Sequence, residues 1–189
     1  NKFASWIGDI KQKPINLIPT FRRPIPLKHC IYLYNYDKKN GDTESYLELS
    51  NTVDSTFNYS NYDKSYSLFK AMKKDTYHNE LTILNKLIEF MHIRSKFPVI
   101  FFTFSRKNCE KYAKFIQVAN LVDSKEANEI SSIFDFHLSQ YKNIYEVMPQ
   151  YGELKKLLVR GIGVHHSGLM PILKEVTEVL FSRGFIKIL

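Results

Sequence analysis

The chain has 189 residues, a size that suits one α/β domain with roughly thirty to forty residues of attached material and leaves little room for two full domains. Its formal charge of +8 favours a polyanionic partner only loosely, because 21 of the 27 cationic side chains are lysines scattered over many segments. Two cysteines without CxxC spacing, and no apolar run long enough to cross a bilayer, argue against a disulfide scaffold, a metal site and a membrane span.

The first 28 residues predict a short helix followed by an extended connector. Apolar residues recur at helical spacing over Phe3–Ile10. Four prolines then fall within thirteen residues, between Pro14 and Pro26, which is too many for a helix or a central strand. Because the chain starts without methionine and ends on the apolar run FIKIL, we expect an excised fragment.

The next segment predicts a β-hairpin. HCIYLYNYD and DTESYLELS are rich in β-branched and aromatic residues and flank a turn signal at Asn40 and Gly41. From Ser50 to Asp75 the chain is rich in Ser, Asn, Tyr and Lys with weak periodicity, so we expect a mobile insertion or a marginal helix. Tyrosines of this kind can stack on bases, but a low-complexity linker is the favoured interpretation.

The second half alternates helices with short apolar runs. The run Pro98–Phe104 shows no alternation, which is typical of a parallel strand covered on both faces. The remaining predicted elements are helices over Tyr77–Arg94, from Ser105 onward, over Glu126–Tyr145, Glu153–Arg160 and Leu169–Leu180, with strands over Ile162–His166 and Phe185–Leu189. This order predicts an α/β fold, a parallel sheet with helices on both faces.

The first strand-to-helix corner carries Ser105 and Arg106. The following helix points its unpaired N–H groups outward there, so a phosphate would fit. Ser105 can accept from the amide of Asn108 or bind an anion, and Arg106 can hold two phosphate oxygens. From these residues alone, an ordinary helix cap followed by a surface arginine is the favoured alternative.

The second corner, RGIGVHHSG, belongs to a stretch that holds four of the seven glycines. Gly161 and Gly163 stand where a side chain would obstruct neighbours. Ser167 and Gly168 are predicted to open the next helix and to leave several backbone donors unpaired.

Two adjacent histidines, His165 and His166, precede that serine. Neighbouring strand residues point to opposite sides, so we expect one ring to pack inside and only the other to face a ligand. Each histidine alone is more often a structural hydrogen-bonding group than a catalyst.

Several enzymatic classes are excluded by missing motifs. The chain has no GxxxxGK followed by Ser or Thr, no adjacent Asp and Glu, and no GxSxG. We therefore predict no catalytic residue and no unaided nucleotide hydrolysis within this chain.

The tracts FFTFSRKNCE and RGIGVHHSGLMPILKEVTEVLFSRGFIKIL closely resemble the second RecA-like domain of the superkiller-type DExH-box RNA helicases. FASWIG and KQKPINLIPTFRRPIPLKHCIYLY resemble the passage into it from the first RecA-like domain. The resemblance implies that residues 1–28 are the end of the first domain and the connector. Residues 29–189 are then a truncated second RecA-like domain, with about 37–76 outside the resemblance.

This resemblance also assigns site residues. Phe104, Ser105 and Arg106 fall in the family's motif IV, and Gly163 with His165, His166, Ser167 and Gly168 in its motif IVa, both of which face the RNA backbone. It implies that the nucleotide loop and acid pair precede Asn1 and that the arginine-finger motifs follow Leu189. The fragment is then catalytically silent, and the ATP and Mg²⁺ of the parent enzyme are not expected to bind it.

The sequence HHSG with the following PILKE resembles the exosome-associated branch, and KQKPINLIPTFRRPIPL with LFSRG the cytoplasmic member more than its nuclear relative. The implied function is ATP-dependent, 3′-to-5′ movement along single-stranded RNA that feeds an exosome, with superkiller complex and exosome subunits as partners and no membrane. Two alternatives remain open: a protein- or RNA-binding module without motor activity, and a DNA helicase of the repair branch.

Overall fold

The computed structural model describes residues 2–18, 24–35, 43–51, 56–71, 80–118 and 121–189. The chain divides into two compact units, residues 1–76 and 77–189. The predicted boundary at residue 28 differs from this division, because the hairpin after the connector belongs to the first unit. Within the described ranges, no helix is long and apolar enough to cross a membrane.

The first unit consists of two helices and a pair of strands. Its elements are α1 (Lys2–Lys11), β1 (Lys28–Asn35), β2 (Thr43–Asn51) and α2 (Tyr59–Ala71). The strands are antiparallel, with Ile31 opposite Leu47. The predicted N-terminal helix and strand pairing are thus confirmed, whereas the turn at Asn40 and Gly41 lies outside the described residues.

Helix α2 lies in the segment for which the sequence predicts a mobile insertion or a marginal helix. Its described part is a helix fixed to the strand pair. The Asn58 amide donates to the Leu49 carbonyl oxygen at 2.7 Å, and the Asn61 side-chain amide donates to the Glu48 carbonyl oxygen at 2.8 Å. Only Ser65 is buried on this helix. Polar anchors therefore replace the apolar stripe, which explains the weak sequence periodicity.

The second unit contains six helices in its described residues: α3 (Glu80–Ile93), α4 (Arg106–Phe115), α5 (Ser124–Leu138), α6 (Lys142–Tyr145), α7 (Pro149–Leu158) and α8 (Pro171–Ser182). The helix predicted over Glu126–Tyr145 ends early, because a 3₁₀ turn over Ser139–Tyr141 interrupts it. Helix α7 starts four residues earlier than predicted, at Pro149, whose fixed φ suits a first helical position.

Three extended segments of this unit run parallel to one another. Val99 pairs with Ile188, and Ile188 pairs with Ile162. Each segment contributes a single bridging residue, so the described residues form no continuous parallel strand, and the strands predicted over Pro98–Phe104 and Phe185–Leu189 are not formed as such. The pairing is irregular because Gly161, at φ +78°, presents one carbonyl oxygen to both the Lys187 and Ile188 amides.

The apolar run Pro98–Phe104 alternates between core and solvent. Val99 and Phe101 pack against the core, whereas Ile100, Phe102 and Phe104 are 49, 87 and 109% exposed. The prediction that this run is covered on both faces is therefore wrong for the described residues, because only one side of it meets the core.

Gly163 has no room for a side chain, as the sequence predicts. A Cβ atom there would lie 2.8 Å from Leu189 Cδ1, 3.0 Å from Thr177 Cγ2 and 3.1 Å from Ile186 Cγ2. Thr177 cannot yield easily, because it is buried and its hydroxyl donates to the Leu173 carbonyl oxygen at 2.8 Å. Close packing at this glycine thus joins α8 to the extended segments.

We expect Gly163→Ala to lower the free energy of unfolding by about 1–3 kcal/mol, the usual cost of overpacking a core. Gly152→Ala is the matched control, because a Cβ there meets nothing within 4 Å and alanine favours the helical backbone of α7 by about 0.5–1 kcal/mol. Urea unfolding of both variants gives the comparison. A Gly163→Ala protein as stable as the parent would contradict this packing.

Candidate nucleic-acid interface

A groove of about 530 Å³ lies where the run Pro98–Phe104 meets helix α4. Six of the eight predicted site residues line it: Phe104, Ser105, Arg106, His165, His166 and Ser167. The other lining residues are Ile100, Phe101, Phe102, Thr103, Cys109 and Leu189. The two strand-to-helix corners therefore meet at one groove within the second unit.

Ser105 caps helix α4. Its Oγ accepts a hydrogen bond from the Asn108 amide at 3.3 Å, and its carbonyl oxygen accepts from the Cys109 amide at 2.9 Å. The favoured alternative for Ser105, an ordinary cap, is thus present in the structure. The Ser105 hydroxyl hydrogen has no acceptor among the described residues and remains for a ligand.

Arg106 is exposed at the first position of α4. It makes no hydrogen bond or ion pair with any residue in the described part of the chain. A Cβ atom at Gly168 would lie 3.4 Å from Arg106 Cδ, so residues of both corners are neighbours on the same side of the groove. An uncompensated guanidinium beside the first-turn amides of a helix is suited to bind an anion.

His166 connects the second corner to α4. Its Nδ1 accepts from the Gly168 amide at 3.1 Å, and the Nε2 atom lies 3.1 Å from Glu110 Oε1. Because Nδ1 accepts, the neutral ring carries its hydrogen on Nε2 and donates it to Glu110. The predicted unpaired amide at Gly168 is therefore wrong: His166 occupies it.

Glu110 lies four residues after Arg106, a helical spacing at which opposite charges commonly pair. The His166 ring engages the Glu110 carboxylate instead. This arrangement holds the carboxylate away from Arg106 and leaves the guanidinium available. Sequence reasoning missed Glu110, although its i, i+4 spacing from Arg106 was the signal that could have identified it.

The HHSG turn, residues 165–168, is held by two further hydrogen bonds. Gln150 Nε2 donates to the Gly168 carbonyl oxygen at 3.2 Å, and the Leu169 amide donates to the His166 carbonyl oxygen at 3.1 Å. Helix α8 begins only at Pro171, so the prediction that Ser167 and Gly168 open this helix is wrong. Helix α8 starts at Pro171 because the proline ring suits the first helical position.

His165 points toward a different helix. Its Nε2 lies 2.6 Å from Glu178 Oε1 on α8, and its ring is exposed, whereas His166 is mostly buried. The two rings thus diverge, as alternation along an extended segment predicts. His166 is the structural member of the pair, and His165 is the one that faces the groove and solvent.

Two predicted site residues, Gly168 and Gly163, do not line the groove. Gly168 is held by hydrogen bonds with His166 and Gln150, whereas Gly163 lies in the core. It is buried, and its amide donates to the Ile188 carbonyl oxygen at 2.7 Å. Gly163 does not line the groove; its close contacts shape the core behind it. The resemblance to motif IVa assigned Gly163 to the site, whereas the residue pattern itself predicted a glycine crowded by its neighbours.

Aromatic side chains form the outer edge of the groove. Phe104 is fully exposed and Phe102 nearly so, which leaves both rings available for stacking. Sequence reasoning placed Phe102 inside a covered strand and so did not include it.

No nucleophile or metal centre is built into this groove. Burial raises the pKa of the Cys109 thiol, so the reactive thiolate is disfavoured. In the ranges that the structure describes, no three His, Cys, Asp or Glu side chains are grouped as metal ligands. What the groove offers instead is an exposed guanidinium, two serine hydroxyls and exposed aromatic rings.

The chain was compared with known proteins. No family model matches it. Over its whole length it is 34% identical to an uncharacterized helicase of Schizosaccharomyces pombe and 33% identical to human Superkiller complex protein 2. It is also 31% identical, over its whole length, to the ATP-dependent RNA helicase mtr4 of S. pombe. The chain spans 18, 16 and 18% of the lengths of these relatives, respectively.

We expect the Gly168 amide to exchange its hydrogen slowly, because His166 accepts from it. His166→Ala should raise the exchange rate about two- to twelvefold, the equivalent of a hydrogen bond worth ~0.5–1.5 kcal/mol. His165→Ala is the control, since its ring contacts Glu178 instead. Hydrogen exchange followed by NMR measures both, and an equal Gly168 rate in all three proteins would refute the bridge.

Proposed function

Because this chain belongs to the superkiller-type DExH-box helicases, we propose that its parent is an ATP-dependent RNA helicase in which the groove holds the RNA backbone. The fold that the family implies, a RecA-like domain, is part of the same proposal. The parallel pairing of Val99, Ile188 and Ile162 supports it. The name of the S. pombe relative, an ATP-dependent RNA helicase, supports the activity.

The observation that carries the proposal is the unpaired Arg106 at the groove. Its guanidinium can hold two oxygens of one phosphate, and the adjacent first-turn amides of α4 add further donors. The hydroxyls of Ser105 and Ser167 offer neutral contacts to the same backbone. Phosphates repeat whatever the base sequence, so such a grip suits a motor that must move along any RNA.

The fixed HHSG turn gives this grip its geometry. Gln150 and Glu110 hold the turn through Gly168 and His166, so Ser167 stays in place beside the groove as the strand passes. Closure and opening of the parent's domains then shift the bound backbone as a unit. The ATP and Mg²⁺ that drive this motion have no fit here, since the sequence lacks a phosphate-binding loop.

At a finer level, the parent is a cytoplasmic member of the exosome-associated branch that moves 3′ to 5′ and feeds RNA to an exosome with superkiller complex subunits. The resemblance of HHSG, PILKE and LFSRG to that branch supports this assignment. So does the 33% identity to a protein named Superkiller complex protein 2.

Arg106→Ala should weaken binding of single-stranded RNA by the full-length protein about tenfold or more, because a charged hydrogen-bonding partner of phosphate is lost. The slope of log Kd against the logarithm of the salt concentration should decrease by about one unit, which is the contribution of one phosphate contact. Titrations of labelled RNA at several KCl concentrations measure both quantities.

Arg183→Ala is the matched control, because Arg183 is an exposed arginine at the far end of α8. It should leave affinity and slope within about twofold of the parent. If Arg106→Ala behaved like this control, the backbone role of the groove would be wrong.

A further inference from the structure

Helix α2 carries an exposed row of rings that the groove does not use. We call Phe57, Tyr59, Tyr62, Tyr66 and Phe69 the ring face. These side chains are between 44 and 72% exposed, an unusual amount for five aromatic residues in thirteen positions. They lie in the segment for which the sequence favoured a linker.

Four of the five rings contact one another in a continuous series. The Phe57 ring centroid lies 4.8 Å from that of Tyr59 and 6.0 Å from that of Tyr62. The Tyr62 and Tyr66 centroids are 6.4 Å apart, with ring planes only 3° from parallel. Lys70 Nζ lies 4.5 Å from the Tyr66 centroid and ends the series with a positive charge.

The hydrogen bonds from Asn58 and Asn61 that fix α2 to β2 involve no side chain of this face, although the Phe57 backbone pairs with Ser50 of β2. The one buried residue of α2 is Ser65. The hydroxyls of Tyr59, Tyr62 and Tyr66 find no hydrogen-bond partner in the described residues. A helix fixed by polar anchors thus presents its aromatic residues to solvent in a set geometry.

The charge beside the face indicates what it binds. The described residues 56–71 hold Lys64 and Lys70 against Asp63, a small excess of positive charge that favours an anion. Lysines alone would equally suit an acidic peptide, but the parallel Tyr62 and Tyr66 rings favour planar groups. Single-stranded nucleic acid is the polyanion that carries planar groups at regular intervals.

We propose that the ring face is a second RNA-binding site, which stacks bases of a single strand on Tyr62 and Tyr66 while Lys64 and Lys70 attract the phosphates. This site rests on the proposed function, because it assumes that the parent protein binds RNA, and it adds a second contact with the same strand. The groove holds the backbone and the ring face holds bases. Stacking tolerates every base, because each has a π-face, so this second site preserves the sequence independence that a motor needs.

The test compares Tyr62→Ala/Tyr66→Ala with Tyr62→Phe/Tyr66→Phe in the full-length protein, using a labelled oligoadenylate. The alanine pair should raise Kd about tenfold or more, because it removes two rings that each stack on one base. The phenylalanine pair keeps the rings and should stay within about twofold. Phe136→Ala, which removes an exposed ring from α5, is the control and should change nothing.

A strand of the same length without bases separates stacking from charge. The alanine pair should bind this abasic strand as the parent does, whereas Arg106→Ala should still weaken it. Unchanged oligoadenylate affinity of the alanine pair, or an equal loss with the phenylalanine pair, would overturn the ring face as a stacking site. If Arg106→Ala weakens RNA binding but the alanine pair does not, only this inference fails. The ring face would then bind a protein partner. If Arg106→Ala is also silent, the proposed function fails too.

A measurement on the unaltered protein guards against variants that fail to fold. RNA that contains 4-thiouridine should crosslink on irradiation to peptides within residues 57–71. Crosslinks confined to peptides of the groove would overturn the second site.

Discussion

The contact between His166 and Glu110 is the constraint on which the candidate site depends. Arg106 and Glu110 stand one helical turn apart and would neutralise each other if nothing intervened. The His166 ring takes the carboxylate on one side and the Gly168 amide on the other. A single imidazole thus fixes the HHSG turn and leaves a guanidinium uncompensated at the groove. The glycine packing behind it, at Gly163, holds the turn against the core.

This arrangement explains why the two histidines differ although they are adjacent. The His166 ring has a structural role, because it bridges the Gly168 amide and the Glu110 carboxylate. His165 pairs with Glu178 at the surface and leaves the turn unaffected. An exposed arginine, a fixed turn and exposed phenylalanines line the groove together. The similarity to RNA helicases is the reason we propose RNA as the ligand of this groove.

Local patterns in the sequence were sufficient for part of this account. The Ser105 cap, the paired strands and the crowded glycines all follow from residue types at short spacing. The exposure of Phe102 and Phe104 did not, because a continuous apolar run does not say how many of its faces are covered. Nor did the fixed position of α2, whose anchors are single hydrogen bonds from Asn58 and Asn61 without periodicity. The engagement of Glu110 by His166 joins residues 56 positions apart, and spacing rules do not reach that far.

A double-mutant cycle can show whether Arg106 binds an RNA phosphate, as we propose. RNA strands with one neutral methylphosphonate linkage, moved step by step along the strand, are bound to the full-length protein and to its Arg106→Ala variant. At one linkage the effects of the two changes should be strongly non-additive, because each change removes the same contact. Additive losses at every linkage would contradict this proposal.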